Sequence, residues 1–261
     1  MHRFYDGYKE VDIPTAIEEL TEDQYLYFLM ISSVYATMHV IDERGYRVRW
    51  LSYLAGLENI DFTLLTADRR EKYEGAMTMT DGFFDRNHQT GQLVPILSTV
   101  VNLLPEHEGY RGPGDFLEGV TFGEFTECLK VLAGVKGENE EETREASERI
   151  ARVLYHIPDD KDVPEVLLFH APTLFRSVLR QIESSPIEID GEPIDFRIIF
   201  QSHKTGKNYD DKTGWTGITF EVASSGVFGG VKDVEKTDLW MVLLYLYRCK
   251  FEYLHSKRKG G

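Results

Sequence analysis

Asp211-Lys212-Thr213-Gly214 is the tetrapeptide of this chain that most suggests chemistry. An aspartate in that setting can take a phosphoryl group beside a magnesium ion when it closes a buried strand. Here the preceding Lys207-Asn208-Tyr209-Asp210 is polar, so no buried strand leads into it and the match reads as chance. Gly206-Lys207 fails as a phosphate loop: Gln201 stands where the first glycine is needed, and Asn208 replaces the Ser or Thr that would meet magnesium. His107-Glu108, in a loop, has the residue types of an acid/base pair, but nearness in sequence does not by itself set two side chains face to face. The eight histidines are dispersed, without HExxH or Cys/His zinc spacing, so a metal site would have to be assembled by the fold. His39 and His170 sit among apolar neighbours and read as core or capping histidines. Cys128 and Cys249, also among apolar neighbours in helical surroundings, read as buried free thiols of a reducing compartment. There is no GxSxG elbow, and Gly226-Val227-Phe228-Gly229-Gly230 has the wrong spacing for a dinucleotide loop. The sequence therefore assigns no catalytic residue, no cofactor and no metal ligand. Two function classes remain: a protein that works by contact, and an enzyme whose site only the fold brings together.

The element around which contact would be organised is the final stretch, Thr237 to His255. Thr237 is placed to cap a helix, Asp238 meets its positive end, and Arg248, Lys250, Lys257, Arg258 and Lys259 crowd the negative end. Leu239, Val242, Leu243, Leu246 and Tyr253 form one apolar stripe, and Trp240, Leu244, Tyr247, Phe251 and Leu254 a second. A helix with two apolar faces must be covered twice, by its own domain or by another subunit, and a homo-oligomer is one way to do it. Trp215, Phe228, Gly229, Trp240 and Tyr247 are the candidate partner contacts.

Upstream, Thr15 to Glu18 and Thr21 to Gln24 have capping-box spacing, and Tyr25 to Met38 is apolar almost all round, as an interior helix would be. Asp42 opens a segment in which Tyr46, Trp50, Leu51, Leu54 and Leu57 share a face and Gly56 marks the end. Arg44, Arg47 and Arg49 lie on its other side, as salt-bridged surface residues. Leu93–Leu104 is rich in β-branched residues and reads as extended. Gly109 to Asp115 reads as a loop, and Thr121 to Glu124 as a third capping box. Glu138 to Glu148 is a charge run at a helix start, without the glycine and spacing of a calcium loop. Pro158 to Asp162 reads as a linker, a helix follows from Pro164 to Ile182, and Asp190-Gly191 as the type I′ tip of a β-hairpin. Phe196 to Phe200 reads as an extension of its second strand, and Trp215–Ala223 as a helix. The expected fold is α+β, predominantly α-helical with a small β-hairpin. It divides into an N-terminal region, 1–157, and a C-terminal region, 158–261, or forms one continuous domain.

Composition fits a folded globule: 42% hydrophobic and 12% aromatic residues in 261. The net charge of −15 argues against a general nucleic-acid surface. The start lacks the apolar core of a signal peptide, and no apolar run approaches the roughly 20 residues of a membrane span. A cytoplasmic protein is expected.

Three stretches together carry a resemblance. They are Ile13-Pro14 through Gln24-Tyr25 to Arg47-Val48-Arg49-Trp50-Leu51 and Gly56; Gly112-Pro113-Gly114-Asp115-Phe116-Leu117 with Thr121-Phe122-Gly123-Glu124-Phe125; and Gly214-Trp215-Thr216-Gly217 with Gly226-Val227-Phe228-Gly229, Thr237 and Val242-Leu243. The chain resembles a family of bacterial proteins of unassigned activity associated with phage and prophage tail gene clusters. The resemblance implies a non-enzymatic assembly or structural role, nearest to the tail-assembly chaperones, with tail or virion subunits as partners. It brings no catalytic residues with it. The same residues also have plain physical readings as turns, caps and core anchors.

Overall fold

In a computed structural model, which describes residues 1–5, 9–38, 42–56, 66–135, 139–200 and 213–259, helices begin where capping side chains meet free backbone N–H groups. His39, Leu57, Gly206-Lys207 and Asp211-Lys212 lie outside the described residues, as do the side chains of Lys257, Arg258 and Lys259. Most of what is described is helical, and its paired strands are two-residue to four-residue segments in two-stranded antiparallel hairpins, an α+β fold. Contacts divide the chain into two compact units, Met1–Thr99 and Val100–Gly261.

In the first unit β1 (His2–Tyr5) pairs with β2 (Glu10–Ile13). Thr15 gives its N–H and hydroxyl to Glu19, not to Glu18, because only a single 3-10 turn, Ile17–Glu19, follows. Thr21 and Gln24 exchange both bonds of the expected capping box and open α1 (Glu22–Met38). α1 buries one face, Tyr25, Phe28, Ile31 and Ser32, while Met30 is exposed, so it is less interior than its composition suggests. Asp42 caps α2 (Glu43–Leu54), whose Tyr46, Trp50, Leu51 and Leu54 are buried as expected. Arg44 pairs with Glu74 in α3 (Ala67–Gly75), and Arg47 with Asp81 in the 3-10 segment Met77–Phe83. β3 (Phe84–Arg86) and β4 (Leu93–Pro95) form the second hairpin. Pairing stops at Pro95, and 96–104 is irregular, held in part by side-chain bonds, so the extended reading of Leu93–Leu104 holds for three residues only.

The second unit starts with a tight hairpin, β5 (Glu106–His107) and β6 (Tyr110–Arg111), turned through Glu108 and Gly109 at φ 50° and 82°. The expected loop after Gly109 thus contains a short strand. A 3-10 turn (Asp115–Leu117) precedes α4 (Phe122–Gly134). α5 (Glu140–Tyr155), capped by Asn139 with Glu140, Glu141 and Glu142 in its first turn, packs on α6 (Glu165–Ser184). Pro158–Asp162 is therefore a short connection within one unit, and the 157/158 boundary expected from the sequence falls inside that unit. β7 (Ile187–Ile189) and β8 (Glu192–Ile194) turn through Asp190 and Gly191 at φ 53° and 81°, as the type I′ reading requires. Phe196 to Phe200 is no strand: the Asp195 carboxylate accepts from the Arg197 N–H and starts a helical turn, α7 (Arg197–Phe200), against the β-propensity of its isoleucines. α8 (Gly214–Ser224) contains the expected Trp215–Ala223 helix, and α9 (Val231–Lys236) follows. α10 (Leu239–Lys259) is capped by Asp238, which accepts from the N–H groups of Trp240 and Met241; Thr237 instead donates its hydroxyl to the Asp233 carbonyl. Among the described residues no helix is long and apolar enough to cross a membrane.

Thr121 and Glu124 exchange both capping-box bonds at α4, at 2.8 and 3.2 Å. Thr121→Ala is expected to cost about 1 kcal/mol of stability, read as a lower urea midpoint at unchanged slope. An unchanged midpoint would mean that water serves those N–H groups equally well.

Candidate functional site

The site is built on an amide. Asn102, 6% exposed, interrupts the apolar run before β5. Its oxygen accepts from the Leu104 N–H at 2.9 Å, and its nitrogen donates to the Pro113 carbonyl at 2.6 Å. Those two bonds fix which end of the amide is which, so His170 Nε2, 2.9 Å from the same oxygen, must carry the proton and donate. The Tyr155 hydroxyl gives its single proton to the Leu104 carbonyl at 2.8 Å. Gly112 runs against this ring: a Cβ there would lie 2.6 Å from Tyr155 carbons. The network fastens 100–117 to α5 and α6.

On top of it stands a strained turn. Phe116 and Leu117 both have positive φ, 53° and 60°, a conformation that costs side-chain-bearing residues on the order of 1–3 kcal/mol each. It is held by named bonds. The Asp115 carboxylate accepts from the Asn102 N–H at 2.8 Å, the Phe116 N–H donates to the Val100 carbonyl at 2.7 Å, and Gly114 N–H donates to the Glu118 carbonyl at 2.8 Å. The Phe116 carbonyl in turn accepts from the Trp240 indole at 3.1 Å. Leu117 is fully buried beneath.

Beside this turn lies a cleft of about 590 Å³, bounded by Asp115, Phe116 and Glu118, by Gln181 near the end of α6, by Pro186–Ile189 and by Trp240. That volume lies within the range of small-ligand sites, roughly 300–1,000 Å³. Its walls carry three carboxylates, an indole and a phenyl ring, and no cation.

The expected contact residues do not converge. Trp240 lines the cleft and meets Phe196 at 5.8 Å, which Tyr247 reaches from the next turns at 6.0 Å. Trp215 instead packs edge-on against Phe122 and Phe125 and anchors α8 on the core. Phe228 meets Tyr245 at 5.5 Å, on another face of α10. Gly229, at φ 90°, makes room for the Asp233 carboxylate that accepts from Gly230 N–H and starts α9, which is a local role. His107 Nε2 and Glu108 stand 3.8 Å apart, beyond a hydrogen bond. Cys128 is buried, and burial pushes its thiol well above the ordinary range. Cys249, expected to be buried, is exposed, in the half of α10 where Arg248, Phe251 and Glu252 are exposed as well. Among the described residues no three His, Cys, Asp or Glu side chains are grouped to hold a metal ion.

Burial, and secondarily the neighbouring His107, lower the His170 pKa to about 4. The folded state thus refuses a proton that the unfolded chain, with an ordinary value of 6.5, accepts. The contribution of neutral His170 is fully present above about pH 6.5 and is lost as pH falls towards 4, on the order of 3 kcal/mol in all. We expect the stability difference between the wild type and His170→Gln to shrink by about 2 kcal/mol between pH 7.5 and 5 in urea titrations. A difference independent of pH would mean that His170 binds its proton equally well in the folded and unfolded chain.

Comparison with protein-family profiles, with curated proteins and with solved structures finds no match to this chain.

Proposed function

We propose that this chain works by contact with other protein subunits, as an assembly or structural protein of the phage or prophage tail type. The observation that carries the contact reading is the course of α10. Its first turns are buried, with Leu239, Val242 and Leu243 fully covered against α4 and α7. Further on the same two stripes come into solvent: Phe251 is 44% and Tyr253 42% exposed, with Met241 at 55% on the flank. At about 1.5 Å per residue the helix is about 30 Å long, and its distal half brings two aromatic side chains, Phe251 and Tyr253, into solvent. The acidic balance of the chain, −15, keeps such a surface soluble until its partner arrives. The tail association rests on the resemblance in the three quoted stretches. In this reading the protein acts in the host cytoplasm or in the particle, without a cofactor.

The test combines gene neighbourhood with a pull-down of the tagged full chain. Tail-tube, sheath or tape-measure genes alongside, and co-purification of one of their products, support the proposal. Presence in finished particles assigns a virion component, and absence assigns a chaperone. A gene among metabolic enzymes, with a purified monomer that retains no partner, overturns it.

A further inference from the structure

We propose that the cleft beside Trp240 receives an extended, lysine- or arginine-bearing segment of a partner protein, added as a strand to the open edge of β7. This deepens the contact reading by naming the partner's chemistry, and it rests on that reading.

The backbone of β7 supplies the first argument. Four consecutive residues, Pro186, Ile187, Glu188 and Ile189, line the cleft. A strand that presented only a face would contribute alternate residues, so it is the edge of β7 that borders the cavity. Ile189 and Glu192 flank the two-residue Asp190-Gly191 turn and form the hydrogen-bonded pair there. The next pair, Glu188 and Pro193, is then the non-bonded one, and the Glu188 N–H and C=O point away from β8. Among the described residues β7 has no second strand partner. Pro193 removes the matching donor from the outer edge of β8, which blunts that edge and leaves β7 as the one able to take a strand.

Charge supplies the second argument. Asp115, Glu118 and Glu188 border the cleft, and no lysine, arginine or histidine is among its lining residues. Side chains alternate along an added strand, so a segment with basic residues at every second position sets its cations on one side. The Trp240 indole, held in place by its bond to the Phe116 carbonyl, offers those cations or their aliphatic stems an aromatic surface. Nucleic acid is excluded by the same carboxylates. The strained Asp115–Leu117 turn fits this use, since its bonds to Val100, Asn102 and Trp240 hold the far wall in place before any segment arrives.

The probe is a fluorescein-labelled lysine–valine alternating pentapeptide, titrated into the full chain and followed by anisotropy. Its glutamate–valine counterpart and a version N-methylated at every peptide bond serve as controls. We expect saturable binding of the basic peptide alone. Glu118→Lys/Glu188→Lys should weaken it at least tenfold, and Glu140→Lys/Glu142→Lys, an equal charge change at the start of α5, less than threefold. Equal loss in the two double variants would mean general attraction to an acidic protein and would overturn the proposal. Equal affinity of the N-methylated peptide, or no saturable binding up to millimolar protein, would overturn it as well. Circular dichroism verifies that both variants fold, and Glu118→Lys alone, outside the hairpin, repeats the test if the double variant does not. A natural partner that still co-purifies with the folded Glu118→Lys/Glu188→Lys variant, but is lost with Phe251→Ser/Tyr253→Ser, would leave the contact reading standing and remove the cleft from it.

Discussion

Asn102→Leu is expected to lower the unfolding free energy by about 4 kcal/mol or more, although the side-chain volume hardly changes. The loss comes from what the amide leaves behind. The Leu104 N–H and the His170 Nε2–H lose their acceptor, and the Pro113 carbonyl loses its donor, all beneath a residue only 6% exposed. Each buried group left unpaired costs about 1–3 kcal/mol. The turn above should loosen as well, because the Asp115 carboxylate is anchored on the backbone N–H of the same residue. Two measurements check this: urea unfolding, and amide exchange over 100–117, where faster exchange is expected. Asn102→Asp is the informative partner variant. It keeps the oxygen that accepts from His170 and replaces the donor to Pro113 with a charge, so it should raise the His170 pKa from about 4. If Asn102→Leu proves neutral, the polar network does not hold the turn.

That network also marks where sequence reading stops. The Thr21 and Thr121 caps and the Asp190-Gly191 hairpin were legible because each is decided within a few residues: Thr21 with Gln24, Thr121 with Glu124, and a two-residue turn that needs positive φ. Asn102 and His170 are 68 positions apart, and nothing local links them. The one available signal was an amide standing alone in the apolar run Leu93–Leu104, and that run reads more readily as a strand. Phe196 to Phe200 shows the opposite failure, a local one. Two isoleucines and two phenylalanines favour extension, and one carboxylate, Asp195, tips the segment into a helical turn. Glu118 and Glu188, seventy positions apart, become neighbours of one cleft only through the course of α6 and β7. Of the five candidate partner contacts, only Trp240 borders it.

Phe28→Ala should remove about 3–5 kcal/mol, the range expected for a fully buried phenylalanine. Phe28 has no solvent exposure and stands at the centre of an aromatic cluster in the first unit. It tilts against Trp50 at 4.7 Å, meets Phe83 and Phe84 edge-on at 5.6 and 5.9 Å, and stacks at 6.4 Å with Tyr46. Two of those rings come from α2 and two from the consecutive Phe83-Phe84, where the 3-10 segment runs into β3, so one side chain of α1 joins two separate pieces of chain. Collapse cannot refill the hole, because Trp50 is itself held in stacks with Tyr27 and Tyr53 and Tyr46 with Tyr35. Phe28→Leu should cost clearly less, since it restores most of the volume and forfeits mainly ring geometry. Phe220→Ala, at a position 54% exposed on α8, should stay within about 0.5 kcal/mol of the wild type. Urea unfolding gives the three values, and near-ultraviolet circular dichroism reads the order of the rings directly. A Phe28→Ala protein that keeps its aromatic dichroism and loses less than about 1 kcal/mol would mean that the first unit is not packed around this residue.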